Sequence, residues 1–413
     1  MASWLILGIA ALLLLIVSWR NPRYGLWAVI LTLPLYLWQF KIGPIPTNWL
    51  EIAIYILTLT LVVKRWPDRR NWLKVYQPIQ WPVGLLLAGL VIGAIVTPDL
   101  RLGLGIFKGW FIDPLILYGL VVNLIERDKL RNYIATLAIT TLPISSMAIW
   151  QAITRHFITV DGRASAWFVS ANYLSMYLVP AMLLAIILIA SRDLIYKILG
   201  GAAIGFGLVA LYFSFSYGGW LALLAALVLL AAAYFRKHWR LWIWGGLLPI
   251  GLIVSQLNNP KLAAMLNLSE KSSASVRLQV WQSGWLMIRE HWLTGIGLGQ
   301  FRDQYLRFAE RLWHPPLELA ILHAHNVYLQ FWINTGIIGL AAWLWLIARF
   351  FAIVGRQTDL VGSVLLAAGS AILIHGLIDT TYWKNDLAAV FWLIVGLAVV
   401  WANAVPATRR PHQ

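Results

Sequence analysis

The recurrence of long, continuous apolar runs constrains this chain more than any other feature. The runs measure about 17 to 22 residues, enough to cross a hydrocarbon core of about 30 Å, and they return along most of the sequence. Inside lipid only helices or closed barrels satisfy their own backbone N–H and C=O groups. These runs do not alternate polar and apolar residues as barrel strands do, so helices are indicated. With 61% hydrophobic and only 12% charged residues, the 413-residue chain lacks the polar surface a soluble protein of that length needs. The expected fold is all-α: a polytopic integral membrane bundle of about 12–13 transmembrane helices. Spans are predicted at 3–19, 25–40, 49–63, 82–97, 104–124, 133–154, 172–191, 196–215, 219–235, 240–255, 326–348, 359–379 and 386–403. The first run lacks a basic leader and a cleavage site, so it is expected to remain as a span.

The net charge of +16 would suggest nucleic acid in a soluble protein. Here basic residues orient helices and meet anionic lipid, so membrane lipids and not nucleic acid are the expected partners. The 25 Trp residues, many at run ends, suit the headgroup level. The absence of cysteine removes disulfides, thiol catalysis and thiolate metal sites.

Lys and Arg concentrate in alternate short loops, at Arg20 and Arg23, Lys64–Lys74, Arg127–Arg131, Arg192 and Lys197, Arg236–Arg240, Arg349 and Arg356, and Arg409 and Arg410. The opposite short loops hold only Lys41, Arg101, Arg155, Arg163 and Lys384. The basic set is therefore expected in the cytoplasm, with the N-terminus outside and the C-terminus inside. One connection is long. Residues 256–325 form an external loop within a single membrane domain covering 1–413. Its stretch Ser275–Phe301 carries Val276, Val280, Trp281, Gly284, Trp285 and Ile288 at helical spacing. That predicts an amphipathic helix lying against the membrane surface.

Polar chemistry collects where this loop re-enters the membrane. His323, His325 and Asn326 stand directly before an apolar run. They suit helix capping, metal ligation or acid–base work. No carboxylate at ligand spacing is seen nearby, and His-x-His alone is a weak metal signature, so no metal is expected. Gly336 and Gly339 lie inside the next span, where glycine suggests close approach of another helix. Arg163 and Arg277 are outer-side arginines whose forked guanidinium fits the oxygens of a lipid diphosphate, or else snorkels to headgroups. Arg289, beside Glu290, reads better as a headgroup contact. Asp113 lies in mid-span near Lys108. Asp379, four residues after His375, is expected on the same helix face. Both acids suit either function or structural ion pairing. Gly295–Phe301, "GIGLGQF", follows a helix rather than a strand and reads as a tight turn, not a nucleotide loop.

The run His325-Asn326, nine residues, then Gly336-Ile-Ile-Gly339 resembles the signature of the O-antigen ligase and O-antigen polymerase superfamily. The preceding Arg277, Trp281 and Gly295–Phe301 are similar to that family's pattern as well, with a non-proline residue near Leu293 where a proline is usual. The resemblance implies metal-independent, inverting transfer of a glycan from undecaprenyl diphosphate to an acceptor hydroxyl on a glycan, lipid or protein. The site would lie at the outer face of the bacterial inner membrane, with no cofactor. It implies that His325 is catalytic and that Arg277 engages diphosphate; His323 and Asn326, beside His325, are expected to bind substrate. Where members often carry Ser-Arg-Gly, this chain has Ser216-Tyr217-Gly218. Tyr217 can hydrogen-bond phosphate without charge, and Arg163 or Lys108 would supply the missing cation. Two further readings are a secondary transporter of a small anion or solute, suggested by the intramembrane acids, and a non-catalytic envelope scaffold. Missing paired halves count against the transporter.

Overall fold

The computed structural model describes residues 2–403 apart from 44, 65–71, 160, 235–250, 252–253, 256–257, 259–261, 265–266, 268–271 and 313–314. In chain order the helices are α1 (Ala2–Arg20), α2 (Pro22–Leu31), α3 (Trp49–Lys64), α4 (Gln80–Val96), α5 (Leu100–Leu124), α6 (Leu130–Thr154) and α7 (Ala171–Ile189). They continue as α8 (Leu194–Phe213), α9 (Tyr217–Tyr234), α10 (Ser273–Glu290), α11 (Phe301–Ala309), α12 (Val327–Val354), α13 (Leu360–His375) and α14 (Asn385–Asn403). Among the described residues seven helices are long and apolar enough to cross a membrane, and three shorter apolar ones accompany them. The protein is a polytopic helical membrane protein, as the apolar runs require.

Each predicted span except two coincides with a helix to within a few residues. The span expected at 240–255 lies almost wholly outside the described residues. The one expected at 25–40 is broken. α2 stops at Leu31, a 3-10 turn covers Leu33–Leu37, and the chain becomes an antiparallel hairpin of β1 (Gln39–Ile42) and β2 (Ile45–Asn48). Pro34 contributes to the break, because it has no N–H to give to the Ile30 carbonyl if the α-helix ran on. The spans expected at 196–215 and 219–235 are separate helices, α8 and α9, joined by a turn at 214–216.

Packing follows the apolar faces. α12 runs along α4, α8 covers α6 and α7, α9 packs on α13, and α14 on α5. α7 and α14 are buried along most of their length and form the bundle interior. α1 instead exposes Leu5, Ile9, Leu12 and Leu13, as a lipid-facing helix should.

The outer segment is tied to the bundle by glycines, in a manner the sequence only half suggests. α10 ends at Glu290, just past the helically spaced Val276–Ile288, and the tight turn expected at Gly295–Phe301 follows. Residues 291–300 form a turn in which Gly295, Gly297 and Gly299 all have positive φ (70°, 97° and 78°). That conformation is open to glycine and costly for other residues. Gly336 also has φ 65° and ψ −172°, which breaks α12 mid-helix. A Cβ there would stand 1.9 Å from the Leu293 carbonyl oxygen. The close partner of Gly336 is therefore the glycine turn, not the neighbouring helix the spacing predicts. Gly339 does meet a helix: a Cβ on Gly89 of α4 would lie 2.7 Å from the Gly339 nitrogen. Backbone bonds from Ile296 to Ile333 (2.8 Å) and from Ile337 to Trp292 (3.0 Å) close the joint. α10 is held on α12 and α11 through Val280, Gly284, Met287 and Ile288, while Leu278 and Trp285 stay exposed.

Candidate active site

Three short segments converge at the start of α12. Successive carbonyls of the loop after α13 accept hydrogen bonds from it and from α10. Gly376 O accepts from Val327 N (2.8 Å), Leu377 O from Asn326 Nδ2 (2.8 Å), and Ile378 O from Arg277 Nε (2.8 Å). This stitching sets the next residue, Asp379, among the polar groups. Its side chain is 2% exposed. Oδ1 lies 3.2 Å from His325 Nδ1. Oδ2 accepts from Asn172 Nδ2 at 2.8 Å and stands 3.5 Å from the Arg277 guanidinium. Asp379 thus joins α10, the approach to α12 and the first turn of α7.

The expectation that Asp379 shares a helix face with His375 needs correction. α13 ends at His375, and Asp379 belongs to the following loop. Burial alone would raise the Asp379 pKa, but the charges of His325 and Arg277, with the hydrogen bond from His325, hold it well below the carboxylate range. Asp379 is therefore ionised at any physiological pH.

His325 has φ +46°, a conformation that β-carbon residues adopt at a cost of about 1–3 kcal/mol. Its carbonyl accepts from Trp281 Nε1 (3.2 Å), and its ring stands edge-on to His323 with centroids 4.3 Å apart. An ionised Asp379 accepts the Nδ1 proton, which leaves the Nε2 lone pair as the basic site. His323 Nε2 pairs with Tyr173 Oη (3.1 Å). Burial, helped by the His325 charge, pushes the His323 pKa down to about 3, so this ring is neutral and cannot serve as a base near pH 7. Asn326 caps α12, accepting from Tyr328 N and Leu329 N. Its amide also donates to Leu377 O, so Asn326 fixes the start of α12 against the loop after α13.

Arg163 reaches the same network from the loop before α7. It pairs with Asp161, donates to Asn172 Oδ1 (3.1 Å), and approaches the Ser214 carbonyl (3.4 Å). Ser214 opens the turn that leads to Tyr217, and the Arg163 charge is felt at Tyr217. Residues 163, 172, 379, 277 and 325 are therefore one connected set. Lys108 lies elsewhere. It pairs with Glu51 and with Asp113 (3.2 Å), while Asp113 also accepts from Tyr55 and Glu51 from Asn385. A π-helical stretch at Phe107–Ile112 turns this part of α5 toward α3 and α14.

The sequence offered no carboxylate beside His323 and His325, but the fold brings one. Ligand atoms of His323, His325 and Asp379 lie within 4.8 Å of one another. That spacing could hold a divalent ion, although the Arg277 guanidinium on Asp379 opposes a second cation there. Asn172 and Tyr173 were missed as site residues. Their only sequence signal is their place at the start of a span beside Arg163.

Comparison with known proteins agrees with this geography. Residues 202–344 match the family model described as O-antigen ligase, a stretch that contains Arg277, His325, Gly336 and Gly339. The chain is similar to an O-antigen ligase of Salmonella typhimurium, with 23% identity over 314 residues, 73% of this chain and 76% of that one. It is also similar to the exopolysaccharide production protein ExoQ of Rhizobium meliloti, with 24% identity over 386 residues, 87% of this chain and 84% of that one. The chain is thus similar to the O-antigen ligase family model across its outer segment and the start of α12, and to two glycan-related proteins over most of its length.

Proposed function

We propose that this enzyme moves a glycan from undecaprenyl diphosphate to an acceptor hydroxyl at the outer face of the bacterial inner membrane, with inversion at the anomeric carbon and without a metal. The N-terminus lies outside and the C-terminus in the cytoplasm. The observation that carries this reading is the convergence of His325 and Arg277 on the two oxygens of Asp379.

The acceptor oxygen attacks the anomeric carbon while the carbon–oxygen bond to the diphosphate breaks. The hydroxyl proton passes to His325 Nε2, the nitrogen left basic by the contact of Nδ1 with Asp379. The bonding pair leaves with the diphosphate, whose growing charge falls to Arg277 and Arg163. Guanidinium donors fixed in place before the reaction stabilise that charge without reorganising. Tyr217, near Arg163, adds a neutral hydrogen bond where relatives often use arginine. His323 positions His325, and Gly336 and Gly339 hold the outer segment to the bundle. Lys108 has no part, because Glu51 and Asp113 already engage it. The energy is that of the activated donor.

The test is glycan transfer in membranes carrying His325→Ala. Loss of general-base catalysis should lower the rate by about 10²–10⁴-fold with the protein still inserted. Wild-type transfer by this variant would remove the proposal.

A further inference from the structure

A buried lysine below the histidine pair has no role in the chemistry above. Lys384, in the loop before α14, has a side chain only 13% exposed, and its ammonium is caged by three aromatic rings. The ring centroids of Tyr173, Tyr36 and Phe168 lie 3.9, 4.7 and 4.8 Å from Nζ. Those rings come from α7, from the 3-10 turn at 33–37, and from the loop before α7. Asp386 Oδ1, on a fully buried side chain, is 3.8 Å away. A cation against π faces in so dry a place is held firmly, and it holds the rings in return. The nearest ring is the one whose hydroxyl meets His323 Nε2, and His323 in turn stands against His325.

We propose that Lys384 is a positioning residue for the glycan transfer described above: its ammonium fixes Tyr173, which seats His323 and thereby His325. The charge does not touch substrate. It acts through one aromatic ring and one imidazole, and it suits a site whose base sits on a strained backbone. Burial pulls the Lys384 amine below its ordinary pKa, and Asp386 beside it works in the opposite direction.

The test uses the full chain in proteoliposomes, with added undecaprenyl-diphosphate oligosaccharide as donor and a bacterial membrane extract supplying acceptor. Lys384→Met should lower kcat about 10- to 100-fold, as a small misplacement of a catalytic group does, while KM for the donor stays within about twofold. Tyr173→Phe should show the same split, and the double variant should be no worse than either single one. Lys384→Arg should recover most of the rate. Labelling with diethyl pyrocarbonate, read by mass spectrometry, should show His323 and His325 modified faster in Lys384→Met than in wild type. The inference is overturned if Lys384→Met keeps wild-type kcat while His325→Ala is dead, or if the two losses multiply in the double variant. It is likewise overturned if the labelling pattern of the histidines does not change. This labelling needs no turnover. Should His325→Ala itself transfer glycan, the proposed function fails, and the labelling still decides whether Lys384 seats the histidines.

Discussion

Two polar clusters lie within this apolar bundle, one around Asp379 and one around Asp113, and they are built differently. The Asp113 cluster is made of helices: Glu51 and Tyr55 from α3, Lys108 and Asp113 from α5, Asn385 from α14. One ammonium faces two carboxylates, so no positive charge is left over for an anionic ligand. The Asp379 cluster is made at loops and first turns, where side chains meet without being enclosed by helices on every side. Here one carboxylate faces an arginine, a histidine and an amide. His325 and Arg277 keep side-chain exposures of 24% and 17%, while Asp379 beneath them keeps 2%. A helix-borne ion pair welds neighbours together. Lys108 is no less exposed, at 33% over an Asp113 at 2%, so charge separates the two: an arginine and a histidine share one carboxylate in the loop-borne cluster, which leaves it able to receive an anionic ligand.

That contrast can be broken. The largest effect is expected from Asp379→Asn, which keeps the shape but removes the charge that selects the His325 tautomer. Transfer should fall by about 10²–10⁴-fold, measured as initial rate per inserted molecule. Gly336→Ala comes next. It forces a Cβ against the Leu293 carbonyl and puts alanine at φ 65°. A loss of about 1–3 kcal/mol is expected, read as a lower melting temperature in detergent. The smallest effect on chemistry should come from Lys108→Met. It leaves Glu51 and Asp113 without their cation and should cost about 1–3 kcal/mol of stability. Transfer per folded molecule should be unchanged, and a selective loss of kcat there would erase the distinction between the clusters.

Most of the architecture was legible in the sequence, because hydropathy over some 20 residues is a local property and lipid leaves few alternatives. His325, Arg277, Gly336 and Gly339 stand out by their resemblance to a family pattern. The role of Asp379 does not. It is 54 residues from His325, and its geometry depends on where α13 stops and on three carbonyls of the loop that follows. Asn172 was hidden for the same reason, since its contacts with Arg163 and Asp379 exist only once α7 is set beside both loops. The glycine pair suggests close approach to a helix, which holds for Gly339 against α4, whereas Gly336 meets the glycine turn. A left-handed residue inside an apolar run leaves no mark in hydropathy, so the break at Gly336 looked like helix.

The comparison of the two clusters is tested most directly by a cryo-electron microscopy map of the protein with undecaprenyl diphosphate bound. Phosphate density is expected against Arg277 and Arg163, with open space beside His325 for the sugar. Phosphate seated on Lys108, with the Arg277–Asp379–His325 group empty, would contradict it.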